Sequence, residues 1–373
     1  MVVEPSELAR VAQRLTGSPD PGAWACQEIH DPIPSATIGI WRVRGAGWSV
    51  VLKVVGRGPG RHPNWRAGAG VDHWYYWRRE ADAYESGLLS SLTGGLRAPA
   101  CYLVAERADG SVALWLEDLA SLSPATGWAP ERYRMAARHL GRAQGAFASG
   151  TQPLPDAPWL SRNWLRAYLH PRDVDMGLLE ESRAWDTELA RRWLPAELGL
   201  ALAALRASQE EFLGALDATP RTLCHLDLHP ANLFGDPAPA GMGAGDATVL
   251  IDWSFVGIGA TGEDAGNLVP DAVLDFHVGP GDIDGLYQAV AAGYLAGLRD
   301  AGWDGPPELV ELAMRAAIAA KYAWIAPAML RAALEGRETL NRRPVAESFA
   351  AWAPVVRFLL RCGAEARRLL AAS

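Results

Sequence analysis

The sequence predicts an α+β fold in two lobes, because its strand-forming pieces crowd the first third and helical periodicity dominates the rest. Trp24–Ile29, Thr37–Arg44 and Ser49–Val55 are rich in Val, Ile and Trp, and Arg44-Gly-Ala-Gly47 supplies a hairpin turn between the last two. Ala100–Glu106 and Ser111–Leu116 form a second hairpin around Asp109-Gly110. A third observation is the change of character after Leu119, where long amphipathic segments begin. The expected division is therefore a first lobe over 1–118 and a second over 119–373.

Taken in order, Ser6 is expected to cap a short helix with Leu8, Val11, Ala12 and Leu15 on one face. The Gly/Arg/Pro stretch Gly56–Gly70 reads as a surface loop; Trp65, Trp74 and Trp77 flank it and can form a lid, though a packed lobe surface is the simpler reading. Trp74–Leu89 reads as a helix. In the second lobe Pro130–Ser149, Pro195–Leu216, Pro307–Leu334 and Pro344–Leu370 read as helices, with Pro327 and Pro354 expected to kink or break the last two. Arg221–His225 and Thr248–Asp252 are expected to add a small strand pair.

Composition narrows the function. Of 373 residues, 49% are hydrophobic and 21% charged, which is globular rather than disordered. A net charge of −8 makes a poor generic nucleic-acid binder. Cys26, Cys101, Cys224 and Cys362 form no CxxC pair and read as reduced thiols in a cytoplasm. Met1–Leu15 has no apolar core of a secretory signal. Leu309–Leu330 is apolar but broken by Glu311, Arg315 and Lys321, so no membrane span is expected. Nothing bears on oligomeric state.

The chemistry sits in Leu223-Cys-His-Leu-Asp-Leu-His-Pro-Ala-Asn-Leu-Phe234, an H-x-D-x-x-x-x-N pattern at His225, Asp227 and Asn232. Twenty residues past Asn232, the apolar run Val249-Leu-Ile ends in Asp252-Trp253. Phosphoryl transfer needs these residue types, because its catalysis is mostly positioning and charge neutralisation. A carboxylate must orient the attacking hydroxyl and accept its proton, which suits Asp227. Hard oxygen ligands must hold Mg²⁺ between phosphates, which suits Asn232 and Asp252. A plain turn after a strand also favours Asp and Asn, but it does not explain the strand-borne Asp252.

These segments resemble the aminoglycoside-phosphotransferase and choline-kinase group of protein-kinase-like folds. The resemblance implies a bilobal fold and an ATP- and Mg²⁺-dependent transfer to a small-molecule hydroxyl: an aminoglycoside or other antibiotic, a sugar or an amino alcohol. It assigns Asp227 to the acceptor hydroxyl, Asn232 and Asp252 to magnesium, and His225 to the loop's structure. Leu226 departs from the glycine usual at that position, and Trp253-Ser254 replaces the Phe-Gly of protein kinases.

The first lobe adds support. Lys53 lies within the apolar strand Val50–Val55, a costly place for an unpaired charge. Glu80, in Trp77-Arg-Arg-Glu-Ala-Asp-Ala-Tyr84, is its expected partner, forming the ion pair that grips the nucleotide phosphates. By resemblance the phosphate-covering loop is Asp31–Gly39, where Ser35, Thr37 and their amides would meet phosphate. Glu117 to Leu119 would be the hinge whose backbone meets adenine. Asp264 would brace the catalytic loop. Acids at Asp271, Asp275, Asp282 and Asp284 can attract a cationic acceptor, though such a run is read first as a solvated surface. Trp159, Trp164, Trp185, Tyr322 and Trp324 can line its pocket, though aromatics at helical spacing are read first as core. Two other readings stay open: a catalytically silent nucleotide-binding module and a protein kinase.

Overall fold

A computed structural model describes residues 2–30, 36–58, 66–237 and 246–372, with the side chains of 171–175 outside that description. The chain opens with helix α1 (Pro5–Thr16) and strands β1 (Trp24–His30), β2 (Thr37–Gly45) and β3 (Trp48–Val55). Helix α2 (Arg79–Glu85) precedes β4 (Leu96–Arg97), β5 (Cys101–Glu106), β6 (Val112–Glu117) and β7 (Ser123–Pro124). Helices α3 (Pro130–Ala148), α4 (Trp164–Leu169), α5 (Ser182–Trp185), α6 (Glu188–Trp193), α7 (Leu198–Ala207) and α8 (Gln209–Ala218) follow. Then come β8 (Arg221–Cys224), β9 (Leu233–Asp236), β10 (Ala247–Leu250) and β11 (Gly257–Ala260). Helices α9 (Glu263–Leu274), α10 (Ile283–Asp300), α11 (Pro307–Lys321), α12 (Ile325–Leu334) and α13 (Val345–Ala372) complete the chain. The α+β expectation stands.

The compact units are discontinuous. One comprises Met1–Ser123, Asp156–Ser161 and Phe234–Val256; the other takes Pro124–Pro155, Arg162–Leu233 and Gly257–Ser373. This differs from the expected split at 118, and it moves Asp252 into the first unit. The reason is pairing across the sequence: β10 runs parallel to β4, with Thr248 opposite Leu96. The expected pair of Arg221–His225 with Thr248–Asp252 does not form, and β8 instead runs antiparallel to β11.

In the first unit, β1-β2-β3-β6-β5 make an antiparallel sheet. Period-two alternation gives its strands two chemically different faces. Val50, Leu52, Val54, Ala113 and Trp115 pack with Leu8 and Val11 of α1. Val55, Leu114 and Leu116 pack with Ala81 of α2. Lys53, at odd register beside Val55, therefore belongs to the α2 face. Pro5 opens α1 in its first turn, and Ser6 lies inside the helix rather than capping it.

Helix α2 starts at Arg79, five residues later than expected. Its guanidinium explains the delay: it donates to the carbonyls of His73 at 2.9 Å and Trp74 at 3.0 Å. Those oxygens are thereby committed to a side chain. The same group reaches Trp159 O at 2.8 Å and Ser254 O at 3.0 Å, tying three stretches of the first unit together. Burial pushes the Arg79 pKa down to about 10.

The second unit is helical. Helices α3 and α10 approach until backbones touch, through glycines spaced four apart on each. A Cβ at Gly293 would fall 2.1 Å from Arg134 O, one at Gly297 2.1 Å from Arg138 O, and one at Gly141 2.2 Å from Tyr294 O. The segment Pro195–Leu216 breaks at Ser208 into α7 and α8, and Pro307–Leu334 breaks at Tyr322–Trp324, just before Pro327. Helix α13 runs on through Pro354, so the proline does not break it. Among the described residues, no helix is long and apolar enough to cross a membrane.

Candidate active site

Two groups of the expected residues are brought together, one in each unit. In the first, Lys53 is 5% exposed, and its ammonium lies 2.5 Å from Glu80 Oε2 and 2.8 Å from Asp252 Oδ1. β3 supplies the lysine, the first turn of α2 the glutamate, and the turn after β10 the aspartate. Burial alone pulls the Lys53 ammonium toward neutrality. The charges and hydrogen bonds of Asp252 and Glu80 more than offset this and hold its pKa above the ordinary lysine value. Glu80 also accepts from the Trp253 amide at 3.3 Å, and the Ser254 hydroxyl donates to Asp252 Oδ1. Asp252 sits at φ 61°, a left-handed conformation that aspartate tolerates better than most residues.

The remaining first-unit candidates are more scattered. Thr37 begins β2 opposite Val55, and Ser35 lies outside the described residues. At the end of β6 the Glu117 carboxylate is bidentate to Arg97 at 2.7 and 2.9 Å and accepts the Ala100 amide at 3.0 Å. The Glu117 amide donates to Ala100 O at 2.8 Å, and Leu119 O accepts from the Leu122 amide at 2.9 Å. Those two backbone groups are therefore committed within the unit.

In the second unit the H-x-D-x-x-x-x-N segment is a loop leaving β8, and a buried carboxylate organises it. Asp264, fully buried at the start of α9, accepts the His225 amide at 2.7 Å and the Leu226 amide at 2.8 Å. Gln144 of α3 donates to it at 2.8 Å. The amide of Gln144 is oriented in turn, because the Tyr294 hydroxyl of α10 donates to its Oε1 at 2.6 Å and accepts from the Gly262 amide at 3.0 Å. Burial pushes the Asp264 carboxyl up, against the lowering by His225 and the three donors.

This bracing explains the departure at Leu226. Its φ is 68°, in the left-handed region where glycine is at ease and leucine costs roughly 1–2 kcal/mol. Asp264 holds the Leu226 amide while the side chain, 2% exposed, gains burial that glycine lacks. The loop then turns so that His225 Nδ1 accepts the Asp227 amide at 3.3 Å. Asn232 Nδ2 donates to Asp227 O at 3.1 Å. The Asp227 carboxylate itself makes no hydrogen bond or ion pair among the described residues.

The acids and aromatics expected for an acceptor fare differently. Asp271 pairs with Lys321 at 3.3 Å, Asp284 with Arg361 at 2.7 Å, and Asp275 accepts from Asn341 at 3.2 Å. Trp164 and Tyr322 are buried beside Lys321, Trp185 donates to Leu179 O, and Trp324 meets Trp352 edge-on. Trp159 contributes a carbonyl to Arg79, and Trp74 stacks on Phe255. Sequence reasoning passed over Gln144, Tyr294, Arg79 and Lys321. Only the paired glycines of α3 and α10 hinted that these helices meet closely enough for Gln144 and Tyr294 to bond.

Magnesium fits the donor chemistry. With Asn232 Nδ2 committed to Asp227 O, its amide oxygen is the donor left over in the second unit; in the first, Asp252 is a carboxylate with a side chain 37% exposed. Each is a hard oxygen of the kind that suits Mg²⁺.

Comparison with known proteins bears on the fold and the family. No curated protein matches the sequence. The fold is similar to that of an amicoumacin kinase solved with AMP-PNP, Ca²⁺ and Ami (TM-score 0.52, 12% identity, 90% of this chain and 88% of that one). It is also similar to a putative aminoglycoside phosphotransferase from Ralstonia eutropha (TM-score 0.52, 14% identity, 96% and 98%). A choline kinase from Cryptosporidium parvum is similar too (TM-score 0.51, 12% identity, 99% and 97%). At these identities the likeness speaks for a kinase-like fold. The sequence profile of the phosphotransferase enzyme family matches residues 77–309, well over half the chain and including both Asp227 and Asp252, so the chain belongs to the phosphotransferase enzyme family.

Proposed function

We propose that this enzyme transfers the γ-phosphoryl group of ATP to a hydroxyl of a small molecule in a Mg²⁺-dependent reaction. The observation that carries the reading is the loop at Asp227. Its backbone is held by Asp264, His225 and Asn232, while its carboxylate makes no bond to the described residues. A carboxylate held so firmly and left unengaged suits a group that must meet an incoming hydroxyl.

In this reading the hydroxyl oxygen attacks the γ-phosphorus, the bond from that phosphorus to the bridging oxygen breaks, and ADP leaves. Asp227 orients the hydroxyl and takes its proton. A carboxylate is a much weaker base than the alkoxide it would form, so it takes the proton late, as the new bond to phosphorus develops. Lys53, kept charged between Glu80 and Asp252, neutralises phosphate oxygens. Asn232 and Asp252 would hold the metal, which when bound offsets phosphate charge. The backbone at Asp118–Leu119 would meet the base, and Ser35 and Thr37 the phosphates. The small-molecule branch is favoured over a protein kinase because Asp252 is followed by Trp253-Ser254 and no APE-like segment follows.

The test is Asp227→Asn. ADP release in a panel of hydroxylated antibiotics, sugars and amino alcohols should fall by at least about a hundredfold, with Mg-ATP binding retained. Asp252→Asn should lose Mg-dependent nucleotide binding itself. Wild-type protein that binds no Mg-ATP would refute the proposal. Binding without transfer to any acceptor would favour the silent module.

A further inference from the structure

Lys321, the last residue of α11, is 2% exposed. Its ammonium lies 5.3 Å from the ring centre of Trp164, 5.7 Å from that of Tyr168 and 5.0 Å from that of Tyr322. Trp164 and Tyr168, one turn apart on α4, stack at 4.9 Å, so two of these rings form a single wall. The carboxylate of Asp271 completes the surroundings at 3.3 Å from the ammonium, and the Tyr322 hydroxyl donates to the same oxygen at 2.6 Å. Three aromatic faces and a carboxylate are what a protein assembles to hold an organic ammonium ion. Here the occupant is a side chain of the protein.

The cage is tied to the catalytic loop through α9: Asp264, which holds the His225 and Leu226 amides, and Asp271 lie seven residues, about two turns, apart on that helix, and the Tyr322 hydroxyl lies 2.8 Å from Asn267 O between them. Burial lowers the Lys321 pKa, but Asp271, Tyr168 and Asp227 raise it more, so the catalytic-loop carboxylate lies within electrostatic reach and the lysine stays charged. Tyr322 feels Asp227 as well. Of the four acids expected to attract a cationic acceptor, three are engaged: Asp271 twice over, Asp284 by Arg361, and Asp275 by the Asn341 amide.

We infer that Lys321 fills the cation seat beside Asp227, so that the acceptor is a hydroxyl compound with no ammonium group next to the hydroxyl that is phosphorylated. An amine brought to that place would meet a fixed positive charge and no unengaged carboxylate of the cage. The inference rests on the phosphotransferase reading for the word acceptor. The filled cage can be tested without it.

The experiment titrates tetramethylammonium into the full-length wild type and into Lys321→Ala, read by calorimetry and by tryptophan fluorescence from Trp164. Emptying the seat should let the variant bind the cation roughly tenfold or more tightly than the wild type. Equal binding by the two proteins would overturn the inference. Should the variant fail to fold with Asp271 unpaired, the double variant Lys321→Ala, Asp271→Asn keeps the three rings and carries the same expectation at lower affinity. In a second arm, wild-type enzyme with Mg-ATP is offered amino sugars and their neutral parents. Turnover should be confined to acceptors lacking an adjacent ammonium, and phosphorylation of a hydroxyl beside an amine would sink the idea. Absence of all turnover, with the titration as expected, would instead count against the phosphotransferase reading.

Discussion

Replacing Asp264 with asparagine removes one charge and almost no volume, and the structure says where the damage falls. The carboxylate takes three donors: the His225 amide and Gln144 Nε2 on one oxygen, and the Leu226 amide on the other. Gln144 cannot turn to offer its oxygen instead, because Tyr294 occupies it. The least costly asparagine places its carbonyl where two donors converge and its NH₂ against the Leu226 amide. One buried backbone donor is then orphaned, at a cost of about 1–3 kcal/mol. The donor lost is the one that holds Leu226 at φ 68°, a conformation already disfavoured by roughly 1–2 kcal/mol. The loop should relax there, one residue before Asp227. We therefore expect a modest fall in melting temperature, of order 2–4 °C per kcal/mol for a unit of this size. Phosphotransfer should fall on the order of a hundredfold, because small displacements of a positioning group are costly. Thermal unfolding and ADP release measured side by side are the assay. Adding Leu226→Gly should soften the kinetic loss, since glycine accepts the left-handed backbone unaided. Full activity in Asp264→Asn, at whatever stability, would refute the view that this carboxylate positions the loop.

Two further outcomes follow from the same packing. Gly297→Ala would drive a methyl to 2.1 Å from Arg138 O, so α3 and α10 must part; about 1–3 kcal/mol of stability should be lost in denaturant titration, with activity falling further because Gln144 and Tyr294 separate. Burial pushes the Glu263 carboxyl from 4.5 up to about 7, although the Ala260 amide opposes the rise. The folded state therefore holds a proton that the unfolded state has released. Stability from this group is full below about pH 4.5 and is lost as pH climbs through 7, about 3 kcal/mol in all. Glu263→Gln should flatten the stability profile over that window, and an unchanged profile would contradict the assignment.

What was legible in the sequence, and what was not, follows from the kind of bond involved. Lys53 stood out because a charge interrupts an apolar strand, and period-two alternation puts it on the face where Ala81 and Glu80 lie. Asp264 was found through resemblance, and its three donors account for the role expected of it. Arg79 was invisible because its acceptors are carbonyl oxygens, which every residue carries. The helix expected from Trp74 was misread for the same reason: the apolar spacing is helical, but Arg79 captures the carbonyls that would have closed the first turns. The parallel pairing of β10 with β4 rests on two residues a side, too short for any periodicity. Lys321 looked like a break in an apolar helix, and only the rings of α4 reveal why a buried charge is stable there.

The Arg79 clasp and the β4–β10 pairing also bear on how the protein is made. The first unit draws its last pieces from residues 234–256, after a long excursion of the chain into helices. While the ribosome is still delivering that excursion, Lys53 has emerged without Asp252, and Arg79 without Ser254 to grip. The nascent N-terminal sheet must therefore wait, incompletely satisfied, until Val256 has cleared the exit tunnel. A fragment cut at Ser123 would stay in that waiting state for good, and so makes a poor stand-alone domain.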